Sequence, residues 1–203
     1  MARNQEQDPG QARRRHQVTH AGPEREPPIE PCGPSVRAAR PYFHVVLHEP
    51  EIPNNTGNIG RTCVATGCGL HLIHPLAFDT SERACRRAGL DYWPRLGVRE
   101  HGSWEAYQHT ESPERLWILT TKASRTVFDA DLRPGDHLVF GKESAGLPPS
   151  ILIEHARRAL CLPMIAGERS LNLATAVCAV VYEGLRQMIA RGDIPLGVNG
   201  RID

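Results

Sequence analysis

The alternation of short apolar runs with helix-like periodicity, beginning at Phe43, constrains the fold more than any other feature of the sequence. Apolar, β-prone runs predict strands at 43–49, 70–75, 115–122, 137–142 and 159–164. Periodic segments predict helices at 56–68, 81–89, 103–110, 149–155 and 170–190. Such alternation is typical of a parallel sheet with helices on both faces. We therefore predict one α/β domain over residues 42–192.

Residues 1–41 differ from the rest of the chain in composition. They hold seven prolines but only three Val or Ile residues, too little apolar surface to offset the entropy of ordering. We predict a disordered Pro/Arg-rich tail there, and a short C-terminal tail at 193–203. Residues 13–15, all arginine, suit RNA phosphates or simple solvation, and composition favours solvation. The segment lacks the apolar core of a secretory signal.

The overall composition narrows the class of protein. The formal net charge is only +1, so any nucleic-acid site must rest on a local cluster of charge. No run of about eighteen apolar residues occurs, so the sequence predicts no membrane span. Six cysteines occur without a C-x-x-C pair, which favours reduced thiols. We therefore expect a cytoplasmic protein.

The last predicted helix, from Ser170 to about Ala190, is unusually apolar in its first half. Apolar residues on all sides indicate burial on all sides. One face of a sheet does not surround such a helix in a chain of this size, so we predict a homodimer in which a second subunit covers it. The alternative is a helix buried within the monomer.

Three glycine-rich or polar turns follow predicted strands, where doubly wound sheets bind their ligands. They are "NNTGNIGR" (54–61), "FGKESAGLP" (140–148) and "LPMIAGERSLNLA" (162–174). None matches a Walker A loop, because Asp136 and Glu143 occupy positions that need glycine and Ser or Thr. "GCG" at 67–69 precedes a strand, whereas a Rossmann loop follows one.

A zinc site is the alternative suggested by Cys63, Cys68, His71 and His74. The two cysteines fall in a helical segment, and the two histidines, three apart on a strand, point to opposite faces. Structural cysteines are the favoured interpretation, and we predict no metal.

The three turns together resemble a known family. "EPEIPNNTGNIGR", "RRAGLDYW", "LTTK", "FGKESAGLP" and "LPM…RSLNLATAV" are similar to the signature motifs of the SPOUT class of RNA methyltransferases, and most of all to its TrmL type. The resemblance spans about residues 43–190. It implies a trefoil knot near the C-terminus and a homodimeric active site. It also implies S-adenosylmethionine as cofactor and 2′-O-ribose methylation of tRNA, at cytidine or uridine 34.

The resemblance also implies a cofactor pocket. Its residues would be Leu119, Gly141, Glu143, Leu162, Ser170 and Asn172. Backbone groups in the turns suit an adenine edge and a ribose, and the leucines suit the apolar ring. For Gly141 the alternative role is simple turn chemistry.

Arg61 is the catalytic residue that the resemblance marks, with Asn55 placing the ribose or Arg61. A guanidinium is a poor base, so Arg61 either stabilises the developing alkoxide as a cation or loses its proton in the assembled site. The alternative for Arg61 is an ion pair with Glu49 or Glu51. The alternative for Asn55 is capping of the following helix.

RNA contacts are expected from the arginine-rich segment 81–99, with Arg86, Arg87 and Tyr92 as the candidates. Arginines beside an aromatic ring suit phosphate contacts with a stacked base. The alternative is solvated arginines, with Tyr92 and Trp93 packed in the dimer interface. Three hypotheses follow: an RNA 2′-O-methyltransferase, a catalytically silent RNA-binding protein of the same fold, and a metal-binding structural protein.

Overall fold

A six-stranded, wholly parallel sheet organises the chain, in the order β3-β2-β1-β5-β4-β6. The computed structural model describes Met1 and residues 40–202, so nearly all of the predicted tail at 1–41 lies outside the described residues. The strands are β1 Phe43–His48, β2 Gly69–Ile73, β3 Arg99–His101, β4 Leu116–Leu119, β5 Asp136–Phe140 and β6 Ala159–Leu160. Five were predicted; β3 was missed because it has only 3 residues.

Helices cover both faces of the sheet, as predicted. They are α1 Pro53–Thr66, α2 Glu82–Arg87, α3 Trp93–Leu96, α4 Trp104–Glu111, α5 Pro149–Glu154 and α6 Leu173–Arg191. Side chains alternate along each strand. Val45 therefore joins a core with α1 and α6, while its neighbour Val46 joins a second core with α4 and α5. The trefoil knot stays a prediction from the family.

The segment "NNTGNIGR", predicted as a turn that leads into a helix at Thr56, lies entirely within helix α1. Helix α1 begins at Pro53, because proline at the first helical position needs no backbone hydrogen bond. Its glycines serve packing: a Cβ on Gly60 would lie 3.0 Å from Leu96 and 3.1 Å from Trp93. The helix predicted from Thr56 is therefore confirmed and starts three residues earlier than predicted, and close contact between α1 and α3 explains Gly60. The ligand-holding role of this segment stays a prediction.

Helix α6 begins at Leu173, with Asn172 as its N-cap, three residues later than predicted. Val177, Val180 and Val181 are buried within the monomer, while Ala179 and Tyr182 remain exposed. The monomer therefore buries one face of α6 and leaves the other open. The helix is long and apolar enough to cross a membrane, but burial of these valines against the sheet is typical of a core helix.

The residues after α6 return to the core. Ile194 is buried and packs in the same cluster as α6, and Leu196 forms a bridge with Ile202. The predicted C-terminal tail at 193–203 is therefore partly structured, because Ile194 supplies apolar surface that the core covers. Five cysteines in the described part of the chain are free thiols, Cys63, Cys68, Cys85, Cys161 and Cys178.

Candidate active site

A cavity of about 640 Å³ opens where β4, β5 and β6 end and α6 begins. All six residues predicted to bind the cofactor line it, Leu119, Gly141, Glu143, Leu162, Ser170 and Asn172. The segments that supply them lie up to 53 residues apart in sequence between Leu119 and Asn172. The carboxyl ends of parallel strands bring them to one edge of the sheet.

The walls of the cavity combine apolar and hydrogen-bonding groups. Leu119, Leu160 and Leu162 supply apolar surface. Hydroxyl groups come from Thr120, Thr121, Ser144 and Ser170, and backbone groups from the turns at 140–146 and 162–172. A cavity of this size and mixed lining suits a flat heterocycle joined to polar groups.

Gly141 is required by a close approach of two backbone segments. A Cβ there would lie 2.2 Å from the carbonyl carbon of Gly146 and 2.3 Å from the backbone nitrogen of Leu147. The turn closes through a backbone bridge between Lys142 and Gly146. Gly141 is not among the glycines with positive φ, so crowding explains its presence better than backbone angles do.

Glu143 reaches from this turn to the start of α1. Its carboxylate accepts hydrogen bonds from the backbone N–H of Glu51 (2.9 Å) and Ile52 (3.3 Å). The N-cap Ile52 has no side-chain cap of its own, so Glu143 supplies the negative charge that a helix N-terminus favours. Glu143 therefore lines the cavity, but its oxygens are engaged in positioning α1.

Asn55 links the two sides of the cavity. Its Nδ2 donates to Oε1 of Glu143 at 2.8 Å, and its Oδ1 accepts from Nδ2 of Asn172 at 2.9 Å. Asn55 is buried inside the first turn of α1, so its predicted alternative role as a helix cap is wrong. We name Glu143, Asn55 and Asn172 the pocket network.

Arg61 lies elsewhere on α1. It lies six positions after Asn55, so the two side chains point about 120° apart around the helix axis. It is exposed and does not line the cavity within this chain. Its predicted alternative, an ion pair with Glu49 or Glu51, is wrong because Glu49 pairs with Lys142 at 2.8 Å and Glu51 accepts from Ser144. Within residues 40–202, Arg61 forms no ion pair with a carboxylate.

The ring of Tyr92 contacts the guanidinium of Arg61, rather than offering a face to an RNA base. The guanidinium carbon of Arg61 lies 4.8 Å from the centroid of the Tyr92 ring. The Tyr92 hydroxyl donates to the carbonyl of Gly57 at 2.5 Å, and the residue is 3% exposed. The ring therefore has no open face for a base, and the prediction of base stacking by Tyr92 is wrong. Burial raises the pKa of Tyr92, with the charge of Arg61 opposing it.

Arg86 and Arg87 lie in the last turn of α2 and are exposed. Basic side chains there complement the negative end of the helix dipole. Their exposure is compatible with RNA contacts, and their RNA-binding role stays a prediction.

A chain of three hydrogen-bonded histidines, two of them buried, lies on the face of the sheet that α4 covers. His44 Nδ1 is 2.9 Å from His71 Nε2, and His71 Nδ1 is 3.0 Å from His101 Nε2. Burial lowers the pKa of His71 to about 2, with the neighbouring histidines adding to the effect, so the imidazole is neutral. We name His44, His71 and His101 the histidine chain. Its signal in the sequence is at least one histidine on each of three neighbouring strands.

The histidine chain also approaches Glu111, whose Oε1 lies 3.8 Å from both His71 Nδ1 and His101 Nε2. A metal ion needs lone pairs that converge. The ring centroids of His71 and His101 lie 5.3 Å apart. This distance equals the 3.0 Å between the two nitrogens plus one ring radius on each side, so the centroids and the nitrogens lie close to one straight line. The two nitrogens thus face each other along one line, as in an N–H···N hydrogen bond. Within residues 40–202, Cys63, Cys68, His71 and His74 do not form a group of converging ligand atoms, and His74 bonds Glu100.

The parallel sheet, with a mixed apolar and polar cavity at the carboxyl ends of its strands, defines an α/β protein that binds a small ligand. Residues 42–182 match the family model described as the SpoU rRNA Methylase family. A tRNA (cytidine(34)-2'-O)-methyltransferase of Saccharophagus degradans is 47% identical over 148 residues, which are 72% of this chain and 96% of the relative. The chain therefore belongs to the SpoU methylase family.

Solved structures agree with this assignment. A structure giving insights into the 2-OH methylation of C/U34 on tRNA matches with a TM-score of 0.66 at 44% identity, covering 73% of this chain and 97% of that one. The SpoU methyltransferase AviRb from Streptomyces viridochromogenes, solved with AdoMet, matches with a TM-score of 0.62 at 26% identity, covering 76% and 64%. The predicted family is confirmed.

Proposed function

We propose that the chain is an S-adenosylmethionine-dependent methyltransferase that modifies the ribose 2′-hydroxyl of cytidine or uridine 34 in tRNA. The observation that carries the proposal is the cavity, into which six predicted cofactor residues converge and which the pocket network ties to α1. The relative at 47% identity and the structure at 44% identity support nucleotide 34 of tRNA as the substrate.

Another RNA site is the second candidate, because the family model carries rRNA in its description. The two more similar proteins, whose names specify nucleotide 34 of tRNA, favour the wobble position. A catalytically silent RNA-binding protein is the third candidate. Retention of Arg61, Asn55 and the full cavity lining favours an active enzyme.

S-adenosylmethionine fits the cavity in size and in chemistry. The volume of about 640 Å³ falls within the roughly 300–1,000 Å³ typical of small-molecule sites. Leu119, Leu160 and Leu162 would flank the adenine, while Ser170 and the turn at 140–146 offer hydrogen bonds to the ribose and amino-acid portions. When bound, the cofactor supplies a methyl group made electrophilic by a positively charged sulfur.

Arg61 stabilises the negative charge that develops on the ribose 2′-oxygen during methyl transfer. As the 2′-oxygen takes the methyl group, the hydroxyl proton passes to solvent water and the demethylated cofactor leaves, while the Arg61 guanidinium close to the oxygen stabilises the negative charge that develops there. The face of Tyr92 holds the Arg61 side chain in one orientation before RNA arrives. Pre-ordering of this kind lowers the entropic cost of reaching the transition state.

A second copy of the chain completes the site in this proposal. Arg61 does not line the cavity of its own chain, and the exposed face of α6 carries Ala179 and Tyr182. A homodimer in which each subunit donates Arg61 to the cavity of the other accounts for both facts. The protein would act in the cytoplasm, without a metal or a membrane.

Mass mapping of tRNA nucleosides tests the reaction. Purified protein is incubated with unmodified tRNA and S-adenosylmethionine carrying a labelled methyl group. We expect label on the ribose of nucleotide 34. Label at another nucleotide supports the second candidate, and cofactor binding without transfer supports the third.

A mixed dimer tests the shared site. In a co-expressed mixed dimer, the Arg61→Ala subunit lacks the catalytic arginine and the Gly141→Val subunit lacks a working cofactor cavity. If Arg61 acts across the interface, the mixed dimer recovers one working site, about half of the wild-type activity per dimer. If Arg61 acts within its own chain, every site in the mixture lacks one component and activity stays at background.

A further inference from the structure

Three arginines surround one buried indole, that of Trp117 on β4. Their guanidinium carbons lie 5.2 Å (Arg158), 5.4 Å (Arg125) and 5.7 Å (Arg115) from the ring centroid. Each such contact is attractive, worth roughly 0.5–1 kcal/mol at an exposed site. The ring nevertheless gathers three like charges, which repel one another.

Only one of the three charges is neutralised by a carboxylate. Arg115 forms a two-pronged ion pair with Asp136, through Nε at 2.6 Å and Nη2 at 3.2 Å. Asp136 is fully engaged, because it also accepts from Nε1 of Trp117 at 2.7 Å. Arg125 donates to the backbone carbonyl of Asp129, and Arg158 has no carboxylate partner among residues 40–202. Two exposed guanidiniums are therefore left without an anion.

The backbone holds both arginines firmly. The carbonyl of Arg125 accepts from the N–H of Cys161 at 2.9 Å, and Thr126 forms a parallel bridge to Cys161. Arg158 closes a 3-10 turn by donating its N–H to the carbonyl of His155 at 2.8 Å. Stacking on Trp117 then fixes the side chains. A site on rigid elements needs little further ordering to bind its ligand.

We propose that Arg125 and Arg158 form a clamp for backbone phosphates of the RNA substrate. This inference rests on the proposed function. A guanidinium fork matches a phosphate with two parallel hydrogen bonds, while its flat face remains on the ring. Trp117 is only 4% exposed, so the site offers charge without a ring for base stacking, which favours backbone phosphate over a base.

The clamp adjoins the cavity along the chain on both sides. Arg125 comes three residues after Lys122, and Arg158 comes four residues before Leu162. Both Lys122 and Leu162 line the cavity. RNA that reaches the cavity therefore passes near the clamp. The local excess of positive charge also explains how a chain of net charge +1 attracts a polyanion.

Salt-dependent binding of an unmodified tRNA transcript tests the clamp. Binding is followed by fluorescence anisotropy over a range of KCl concentrations, with wild type, Arg125→Gln/Arg158→Gln and Arg133→Gln. Glutamine keeps the apolar stem over Trp117 but removes the charge. Arg133 is a matched control, since it is exposed in the same region but paired with Asp131.

Each lost phosphate contact should lower the slope of log Kd against log salt by about one. We expect the double variant to lose between about one and two units of slope and to bind tRNA about tenfold more weakly at moderate salt. The control should match the wild type. Cofactor binding should be unchanged in all three proteins, because none of the three arginines lines the cavity.

A double variant with the slope and affinity of the wild type would overturn the clamp, whatever its catalytic activity. Wild-type protein that shows no salt-dependent tRNA binding would overturn both the clamp and the tRNA substrate. If the double variant loses slope while the wild type transfers no methyl group to nucleotide 34, the clamp stands and the proposed reaction fails. Thermal melting of the double variant guards against a folding defect.

Discussion

The pocket network and the histidine chain are both series of hydrogen-bonded polar side chains, but they face different surroundings. The pocket network runs through Asn172, Asn55 and Glu143, all of which line an open cavity. The histidine chain runs through His44, His71 and His101 beneath α4, and its last two members are buried. One network borders space for a ligand, and the other borders packed side chains.

The two networks also differ in charge and in the parts of the fold that they connect. Glu143 accepts from backbone and side-chain donors that lie 88 to 92 residues away in sequence, so the pocket network connects the β5 turn to α1. The histidine chain is neutral and joins adjacent strands. We infer that the pocket network serves to position groups for chemistry, while the histidine chain serves to satisfy polar groups inside the fold. Substitutions should therefore separate activity from stability.

Arg61→Ala should have the largest effect on activity and almost none on stability. The side chain is exposed and pairs with no carboxylate, so the fold loses only its contact with Tyr92. Loss of a charge that acts in the transition state should lower kcat on the order of a hundredfold or more, with cofactor affinity unchanged. Single-turnover methylation of tRNA measures the loss.

Arg61→Lys should fail as well, because a point charge lacks the planar fork of arginine. Cofactor titration and thermal melting are the controls for both variants. Near-normal turnover by a well-folded Arg61→Ala protein would show that the catalytic charge lies on another residue.

Gly141→Val should remove cofactor binding. The new Cβ would lie 2.2 to 2.6 Å from backbone atoms of Gly146 and Leu147, which are not free to move as a side chain would. The turn must open, and overpacking of this kind costs about 1–3 kcal/mol of unfolding free energy. Calorimetric titration with S-adenosylmethionine measures the lost affinity.

Gly102→Ala is the matched control for Gly141→Val, because no atom lies within 4 Å of its added Cβ and its φ is not positive. It should bind cofactor like the wild type. Tight binding by Gly141→Val would show that the turn at 140–146 moves without harm and does not shape the cavity.

Asn55→Asp should have an intermediate effect. It places a second carboxylate where Nδ2 of Asn55 now donates to Glu143 at 2.8 Å, while Asn172 keeps its acceptor. Repulsion between the two carboxylates should shift the start of α1 and lower kcat about tenfold. A tenfold loss corresponds to an increase of roughly 1.4 kcal/mol in the activation free energy. Steady-state methylation, with kcat and KM separated, measures it.

Asn54→Asp is the matched control. The neighbouring residue is exposed, and negative charge in the first turn of a helix is favourable. It should leave activity unchanged. Equal losses in the two variants would mean that any new charge near the start of α1 is harmful, and the pocket network would lose its special role.

The sheet and the cavity were predictable from the sequence because both depend on local signals. Short apolar runs marked five strands, and the resemblance of the following turns to a known family implied six of the residues that line the cavity. The helix over most of "NNTGNIGR" was predicted, but the role of Gly60 was not, since contact with Leu96 and Trp93 selects this glycine. The start of this helix was predictable, because proline, here Pro53, is frequent at the first helical position.

Long-range partners explain the remaining errors. Nothing near Glu143 in sequence indicates that its carboxylate caps a helix about 90 residues away. Tyr92 next to several arginines indicates stacking on RNA, and only the packed structure shows that its ring is covered and its hydroxyl bonded to Gly57. Burial depends on the whole fold, whereas residue type and spacing are local.

Tyr107→Phe should give the smallest effect on activity and a measurable loss of stability, which completes the contrast. Tyr107 is fully buried beside the histidine chain, and its hydroxyl lies 2.6 Å from Nδ1 of His137. Removing the hydroxyl leaves that nitrogen unpaired, which costs about 1–3 kcal/mol of unfolding free energy. For a chain of this size, each kcal/mol lowers Tm by about 2–4 °C. Methyl transfer well below both melting temperatures should match the wild type. A loss of turnover in Tyr107→Phe without a loss of stability would mean that the two regions are coupled, and the division between positioning and packing would fail.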